Sequence, residues 1–309
     1  VVGVHASSDS LVAVRINAPQ SAAELAGVRS AAPGELARIA QGGWLAGARL
    51  HLALPAGAYE TALVTTPPAV PDEELAEALR WQLRGTLSIA PENAILDLVH
   101  LPRPPGASSD PLLVVAAARS VVRAALAPFD ELGLEVDAVD IPEFAQRNLL
   151  IAEEQPDAPG CRGFLSLAGN SALLTVQMGA DLCFARRMSL PQMDDEPEHL
   201  ADRIATQVQR SLEVFARQSR LPDVLSLTVG PHPHAPLLAR AVHEQAEIPA
   251  PLFDPGMILS GTSAQPQDTR SLQTAEAAIA LGMALRRERA AGATRLARLP
   301  GWLRLPRAA

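Results

Sequence analysis

The sequence predicts an α/β fold in two lobes. Three observations carry this. Short apolar strand patterns alternate with 3.6-period helical patterns along most of the chain. A hairpin plan appears twice: "VGVHASSDSLVAV" near the start and "LSLAGNSALLTV" at 165–176 are each a strand, a small-residue turn and a strand. Between them the polar, proline-bearing stretch "EEQPDAPG" (153–160) marks a lobe boundary. At 309 residues, 48% of them hydrophobic, the chain is long enough for two such cores.

Each element follows from a local signal. In residues 1–16, Val2 and Val4 face Leu11, Val12 and Val14 across the turn Ser7-Ser8-Asp9-Ser10, which makes a hairpin. A short helix is expected over 35–42, with strands over 48–55 and 59–67. "PPAVPD" breaks the chain before a helix that runs from Asp72 to about Gly85, with Leu75, Leu79 and Leu83 on one face. Its acids lie in the first turn and Arg80 and Arg84 in the last, which suits the helix dipole. Strands follow at 94–101 and 111–118, a helix at 119–132 stopped by Gly133, a strand at 134–142, and the helix "EFAQRNLLIA". The second half has the hairpin 164–178, a strand near 181–190 and a helix over 197–218 with the stripe Leu200, Ile204, Val208, Leu212, Phe215. A strand over 224–230, the helix "APLLARAVHEQ" and the small-residue helix "TAEAAIALGMALRR" close it.

Composition removes several function classes. The net charge is −8 and aromatics are 3%, so nucleic acid is not an expected partner. All 26 basic residues are arginine, which excludes Schiff-base or P-loop lysine chemistry. Cys161 and Cys183 do not make a disulfide framework, and a reducing, cytosolic setting is expected. No apolar run reaches the ~18–20 residues of a membrane span, and the chain begins at Val1 inside a strand pattern with no signal-peptide features. Residues 286–309 carry seven Arg and one Glu, a net +6 that leaves −14 for residues 1–285. Trp302, Leu303 and Leu305 interleave with the arginines, as in a segment that touches an anionic membrane surface; a solvated tail is the plainer reading.

Two such hairpins facing each other across a cleft would let both turns grip a chain of phosphates through backbone N–H groups. The stretches "VPDEELAEALRWQLRGTLSIAPENAILDLVHL", "LLVVAAARSVVRAALAPFDELGLEVDAVDIPEFAQRNLL", "VGPHPHAPLLARAVHEQAEIPAPLFDP" and "EAAIALGMALR" occur here in an order that resembles the PilM/MshI family of type IV and MSHA pilus biogenesis proteins, in the actin-like ATPase superfamily. The resemblance implies a two-lobed actin-like ATPase fold with an inserted 1C-type subdomain. It places a first lobe at 1–158, the insert at about 68–139, a second lobe at 159–287 and a basic tail at 288–309. It also implies a cytoplasmic scaffold at the inner membrane that binds the N-terminal segment of a PilN-like protein, together with other pilus assembly proteins. A GspL-like secretion protein, and an ATPase with an atypical metal site, are the alternatives.

Against that family the phosphate chemistry is depleted. Its first loop has an Asp and then a Gly; here these are His5 and Ser7, and a later lysine is Val12. The second loop's Asp-x-Gly is Ser166 and Ala168. The adenosine loop keeps Gly230, followed by Pro231, which has no N–H. Magnesium wants carboxylate or other hard oxygen ligands, and both expected carboxylates are missing. The expectation is therefore no catalytic residue, no metal and no cofactor, with His5, Ser7, Ser8, Asp9, Ser166, Ala168, Gly169, Asn170, Ser171 and Gly230 as the remnant of a nucleotide site. A weakened site built on Asp9, Gly169, Asn170 and Ser171, or simple turns, are the other readings. His232 and His234 lack a third ligand and are not expected to hold metal. Ser166 has no G-x-S-x-G elbow around it. Asp140 and Glu143, where the lobes should meet, read as helix-start residues.

The resemblance puts the partner groove between the first lobe and the insert. Arg80, Trp81 and Arg84 are the candidate contacts. Trp81 lies about 200° around the helix from Leu79, away from the leucine stripe, and Trp and Arg are common binding hot spots. The same Trp could instead pack on a neighbouring element.

Overall fold

The computed structural model describes residues 1–7, 9–17, 23–67, 70–103, 106, 109–153, 160–190, 196–259 and 270–286. Two sheets share one plan. In the first, β1 (Val2–Ala6), β2 (Leu11–Asn17) and β3 (Glu24–Ala31) run antiparallel, and β4 (Leu50–Ala53) and β8 (Val136–Asp140) add in parallel, in the order β3-β2-β1-β4-β8. In the second, β9 (Cys161–Ala168), β10 (Ser171–Met178) and β11 (Asp181–Ser189) are antiparallel, and β12 (Val224–Val229) joins β9 in parallel. The repeated hairpin of the sequence is thus the opening of two equivalent sheets.

A third sheet is antiparallel, in the order β5-β7-β6, from β5 (Glu60–Thr65), β6 (Ala94–His100) and β7 (Pro111–Ala118). The helix α2 (Asp72–Leu83) lays Leu75, Leu79 and Leu83 on it, against Ala62, Val64, Leu112 and Val114. The other face meets the first lobe through Val99, Leu113 and Ala117, with Val122, Leu126 and Phe129 of α3 (Arg119–Glu131) in the same core. The short α1 (Leu36–Ala40) packs on β3, a strand that the sequence pattern does not announce. In the second lobe α5 (Pro197–Ser219) and α6 (Ala235–Ala246) pack together; Leu200, Ile204, Val208 and Phe215 are buried as their spacing predicts, and Leu212 is half-buried.

Two helices join the lobes. α4 (Pro142–Ala152) follows the first sheet but lies against β9, β10 and β11 of the second. α7 (Ala275–Ala284), capped by the Thr274 side chain accepting from the Ala277 N–H at 3.2 Å, returns from the second half to pack on β1, β2 and β4. They cross at close range. A Cβ on Gly282 would lie 2.2 Å from the Ala145 carbonyl oxygen, and one on Gly3 would lie 1.9 Å from that of Ala280. Glycine at these two points lets backbone meet backbone.

Candidate functional site

Where the two hairpins face each other, the space is small. A cavity of about 40 Å³ lies between them, lined by His5, Ser166, Ala168, Ser171, Arg187 and Glu276 among others. Small-molecule pockets usually span about 300–1,000 Å³; this one has room for a few waters. A larger open depression of about 530 Å³ lies elsewhere, between β3 and α1, and includes none of the residues singled out from the sequence. Its Arg29 is occupied in bonds to the carbonyls of Ile39 (2.8 Å) and Gln41 (2.7 Å).

The turns themselves are self-satisfied. Ser7 Oγ accepts from the N–H groups of Asp9 (3.3 Å) and Ser10 (3.1 Å), and the Ser7 N–H donates to the Ser10 carbonyl at 2.8 Å. Donors that could meet a phosphate are already used within the loop. Asp9 is exposed, and Ser8 lies outside the described residues. In the second turn Gly169 takes a positive φ of 51°, Asn170 is exposed and accepts from the Leu190 N–H at 2.8 Å, and Ser171 Oγ bonds the Ala168 carbonyl at 3.2 Å. Gly230 is not at the cavity. It is buried against β9, its N–H donating to Leu165 at 2.7 Å, and a Cβ there would meet Phe164 at 2.9 Å. Of the ten candidates the structure therefore gathers His5, Ser166, Ala168 and Ser171 around one cavity and leaves the other described ones apart.

Side chains from both lobes fill the cleft. Tyr59, between β4 and β5, donates to Glu143 at 2.5 Å; Arg187 of β11 donates to the Tyr59 hydroxyl at 2.6 Å and to Glu143 at 3.0 Å. Glu143 is 3% exposed, so its charge depends on that guanidinium. Burial first, then the Glu143 carboxylate, pushes the Tyr59 phenol up, keeping it a donor. Gln146, one turn along α4, donates to Ser166 at 2.6 Å and accepts from Thr175 at 2.8 Å. Ser166 is thus part of a core amide network. His5 is held neutral: burial pushes it down to about 4, Arg187 adds a little, and its Nδ1 has no hydrogen-bond partner among the described residues.

A second charged cluster closes the junction of the first lobe with the third sheet. Arg286 meets Asp140 at 3.2 Å. Asp97 of β6 is pushed up to about 7, chiefly by burial and then by Asp140. His51 donates from Nδ1 to the Met283 carbonyl of α7 at 2.9 Å and is pushed down chiefly by burial. Asp140 and Glu143 are therefore more than helix-start residues, since each is in an ion pair.

These residues do not fit magnesium-nucleotide. Glu276 is the carboxylate lining the cavity, Glu143 is bound to Arg187, and in the first turn the Asp9 and Ser10 N–H groups are held by Ser7. Among the described residues no group of three or more His, Cys, Asp or Glu is placed to hold a metal ion. His232 and His234 stand 5.4 Å apart between ring centroids, with the His234 N–H on His232 Nδ1 at 3.2 Å. Tyr59, Gln146 and Arg187 were not foreseen from the sequence. The available signal was a helix with four polar residues, Glu143, Gln146, Arg147 and Asn148, inside an apolar surround.

At the other predicted site, Trp81 is 75% exposed and Arg84 stacks over its ring at 4.5 Å. Arg80 pairs with Glu77 at 2.8 Å and bonds the Pro91 carbonyl. The basic tail lies outside the described residues, and among those described no helix is long and apolar enough to cross a membrane.

No family model and no curated protein matches the chain. Solved structures do. A chain of a PilM–PilN type IV pilus biogenesis complex superposes with a TM-score of 0.72 at 19% identity, over 92% of this chain and 97% of that one. The cytoplasmic domain of EpsL, an inner membrane component of the type II secretion system of Vibrio cholerae, gives 0.50 at 13% identity, over 74% and 80%. A Bacteroides thetaiotaomicron protein with an actin-like ATPase fold and unknown function gives 0.49 at 10% identity, over 88% and 94%. The fold is the two-lobed actin-like α/β fold, with an inserted subdomain of the 1C type.

Proposed function

We propose that this chain is an actin-like scaffold of a type IV or MSHA-like pilus assembly, in which side chains have taken the place of nucleotide between the lobes. The observation that carries the reading is the bridge Tyr59–Glu143–Arg187, beside a cavity of about 40 Å³. An actin-like protein that needs no nucleotide to hold its lobes together suits a fixed structural role. In this reading the first lobe is 1–158 with its insert, the second 159–287. The scaffold works in the cytoplasm at the inner membrane with other pilus assembly proteins. Its partner is the N-terminal segment of a PilN-like protein, a choice supported by the likeness to a chain from a PilM–PilN complex. Arg80, Trp81 and Arg84 rim the partner groove, since a largely exposed Trp with a stacked Arg is the hot-spot combination. The tail 288–309 adds a membrane-surface contact. The likeness to the EpsL domain supports a second reading, the cytoplasmic part of a GspL-like secretion protein.

Calorimetry with ATP and ADP, each with magnesium, tests the exchange of nucleotide for side chains. The expected result is no binding tighter than about 1 mM and no phosphate release. Micromolar binding, or turnover lost on Ser166→Ala, overturns it. On the partner side, Trp81→Ala should weaken a PilN-like N-terminal peptide about thirtyfold without lowering the melting temperature. Vesicle sedimentation of the chain with and without residues 288–309 tests the tail; equal sedimentation removes that part.

A further inference from the structure

The chain has two cysteines, Cys161 and Cys183, and the fold puts them side by side. They stand on strands that do not pair. Cys161 opens β9, where it faces Val224 of β12, and Cys183 lies in β11, with β10 between the two. Unbroken alternation would send Cys183 and Phe184 to opposite faces of the sheet. A β-bulge prevents this. Val176 of β10 faces Phe184 and Gln177 faces Leu182, so Cys183 is the extra residue. Leu182 joins the core of the first lobe, whereas Cys183 and Phe184 both turn to the cluster of Cys161, Val176 and the α5 residue Phe215. The rings of Phe184 and Phe215 stand 5.9 Å apart. In that apolar setting the two thiols hydrogen-bond each other, and Cys183 Sγ also reaches the Asp181 carbonyl at 3.4 Å.

Exposure divides the roles. Cys161 is buried and Cys183 half-buried, so a reagent reaches the pair through Cys183. The bond between them holds the Cys161 thiol below its ordinary value and pushes that of Cys183 up. One proton thus leaves the pair readily and the second is held, which leaves a thiolate shared between the two sulfurs. A disulfide also needs Cα atoms no more than about 7 Å apart, and strands two places apart start about 9–10 Å from each other. The bulge supplies the slack. Cys183 is the residue that no residue of β10 faces, so it can move toward β9 without surrendering a ladder partner. A bridge closed in this way is strained, and strained disulfides are the easily reduced ones. In a reducing compartment disulfides are usually transient and redox-sensing, which is the use that suits such a pair.

We propose that Cys161 and Cys183 form a redox switch, an internal disulfide that closes when a low-molecular-weight disulfide is in excess and reopens when the corresponding thiol is. The Cys183 thiolate attacks one sulfur of glutathione disulfide. A new S–S bond forms, the old one breaks, and one glutathione leaves as thiolate and takes a proton from solvent. The Cys161 sulfur then attacks that of Cys183, gives up its proton, and expels the second glutathione, which takes that proton. Two electrons pass from the pair to glutathione, and two thiols are released for the two consumed. Closure draws in the bulge four residues from Arg187, so it acts on the strand that carries the bridge between the lobes.

Mass spectrometry of the folded full chain tests this, after exposure to glutathione disulfide and trapping by acid and alkylation. The expected product is a monomer lighter by two hydrogens, with the peptides of Cys161 and Cys183 linked. An excess of reduced glutathione should return both thiols. Cys161→Ser should stop at a lasting glutathione adduct on Cys183, and Cys183→Ser should stay unmodified. A folded wild-type chain that stays unmodified, or stops at the glutathione adduct, overturns the proposal. A bridge that forms only in urea does the same, since the sulfurs then cannot close within the fold. So does a bridge that resists excess reduced glutathione, which would be a permanent staple. These wild-type outcomes hold whether or not either serine variant folds.

Discussion

Arg187 is the residue on which the cleft depends most. Among the described residues it brings the positive charge to the buried Glu143, whose other partner, Tyr59, is a neutral donor. Arg187→Met should cost about 3 kcal/mol, because it strands a buried carboxylate. The double variant Arg187→Met/Glu143→Leu should cost clearly less than the two single losses combined, read by urea unfolding; additive losses would show that the pair is uncoupled. Asp97 gives a pH signature. Its folded pKa is about 7 against 3.8 for the free side chain, since burial and Asp140 favour the protonated form. That contribution is complete below pH 3.8 and is lost as pH rises through about 7. Asp97→Asn cannot ionise and should keep its Oδ1 bond from Leu98, so it should be the more stable protein above pH 7 and match wild type near pH 4. Melting curves at the two pH values decide this, and a constant difference would rule it out. Little of this was legible in the sequence. His5 and Ser166 could be picked out by their places in the two hairpins, but their surroundings could not. Tyr59, Glu143 and Arg187 come from three separated segments, and no local periodicity joins them.

Elements were legible where one face is buried and the other wet. α2 and α5 show their leucine and isoleucine stripes directly, and the strands of both hairpins alternate or run apolar as buried strands do. β3 was missed because its burial is irregular: Glu24, Gly27, Val28 and Arg29 are half-buried under α1 and neighbouring chain, so no period of two emerges. α4 was found as a helix, but its role was hidden. It is buried from Pro142 to Leu150, and its Gln146 and Asn148 bond distant groups, Ser166, Thr175 and the Gly282 carbonyl. The crossing of α4 with α7 rests on Gly282, whose missing side chain admits the Ala145 carbonyl. Gly282→Ala should lower stability by about 2–3 kcal/mol, since neither backbone can yield without parting the helices. Gly169→Ala, in an open turn at φ 51°, should cost only about 1 kcal/mol. Thermal unfolding of the two variants compares them, and equal losses would mean that the crossing is looser than its geometry implies.

At the scale of the whole molecule the two halves are exchanged rather than stacked. α4 belongs to the first half and covers the second sheet, while α7 belongs to the second half and covers the first. The face of the first sheet that holds Val12, Val14 and Ile16 is closed by Ala277, Ala278, Ala280 and Leu281. A chain ending at residue 273 should therefore fail to give a folded first lobe, although every strand of its sheet is present. Limited proteolysis of that truncation is the check, and a protease-resistant fragment covering residues 1–153 would contradict it. The exchange also dictates a timetable. The first hairpin leaves the ribosome early, yet the helix that shields it is made about 260 residues later, roughly 13 to 52 seconds at ordinary rates of translation. During that interval its valines have no lasting cover. Birth of this protein is thus a waiting problem: the first hairpin stays uncovered until α7 arrives, and the two lobes are finished together.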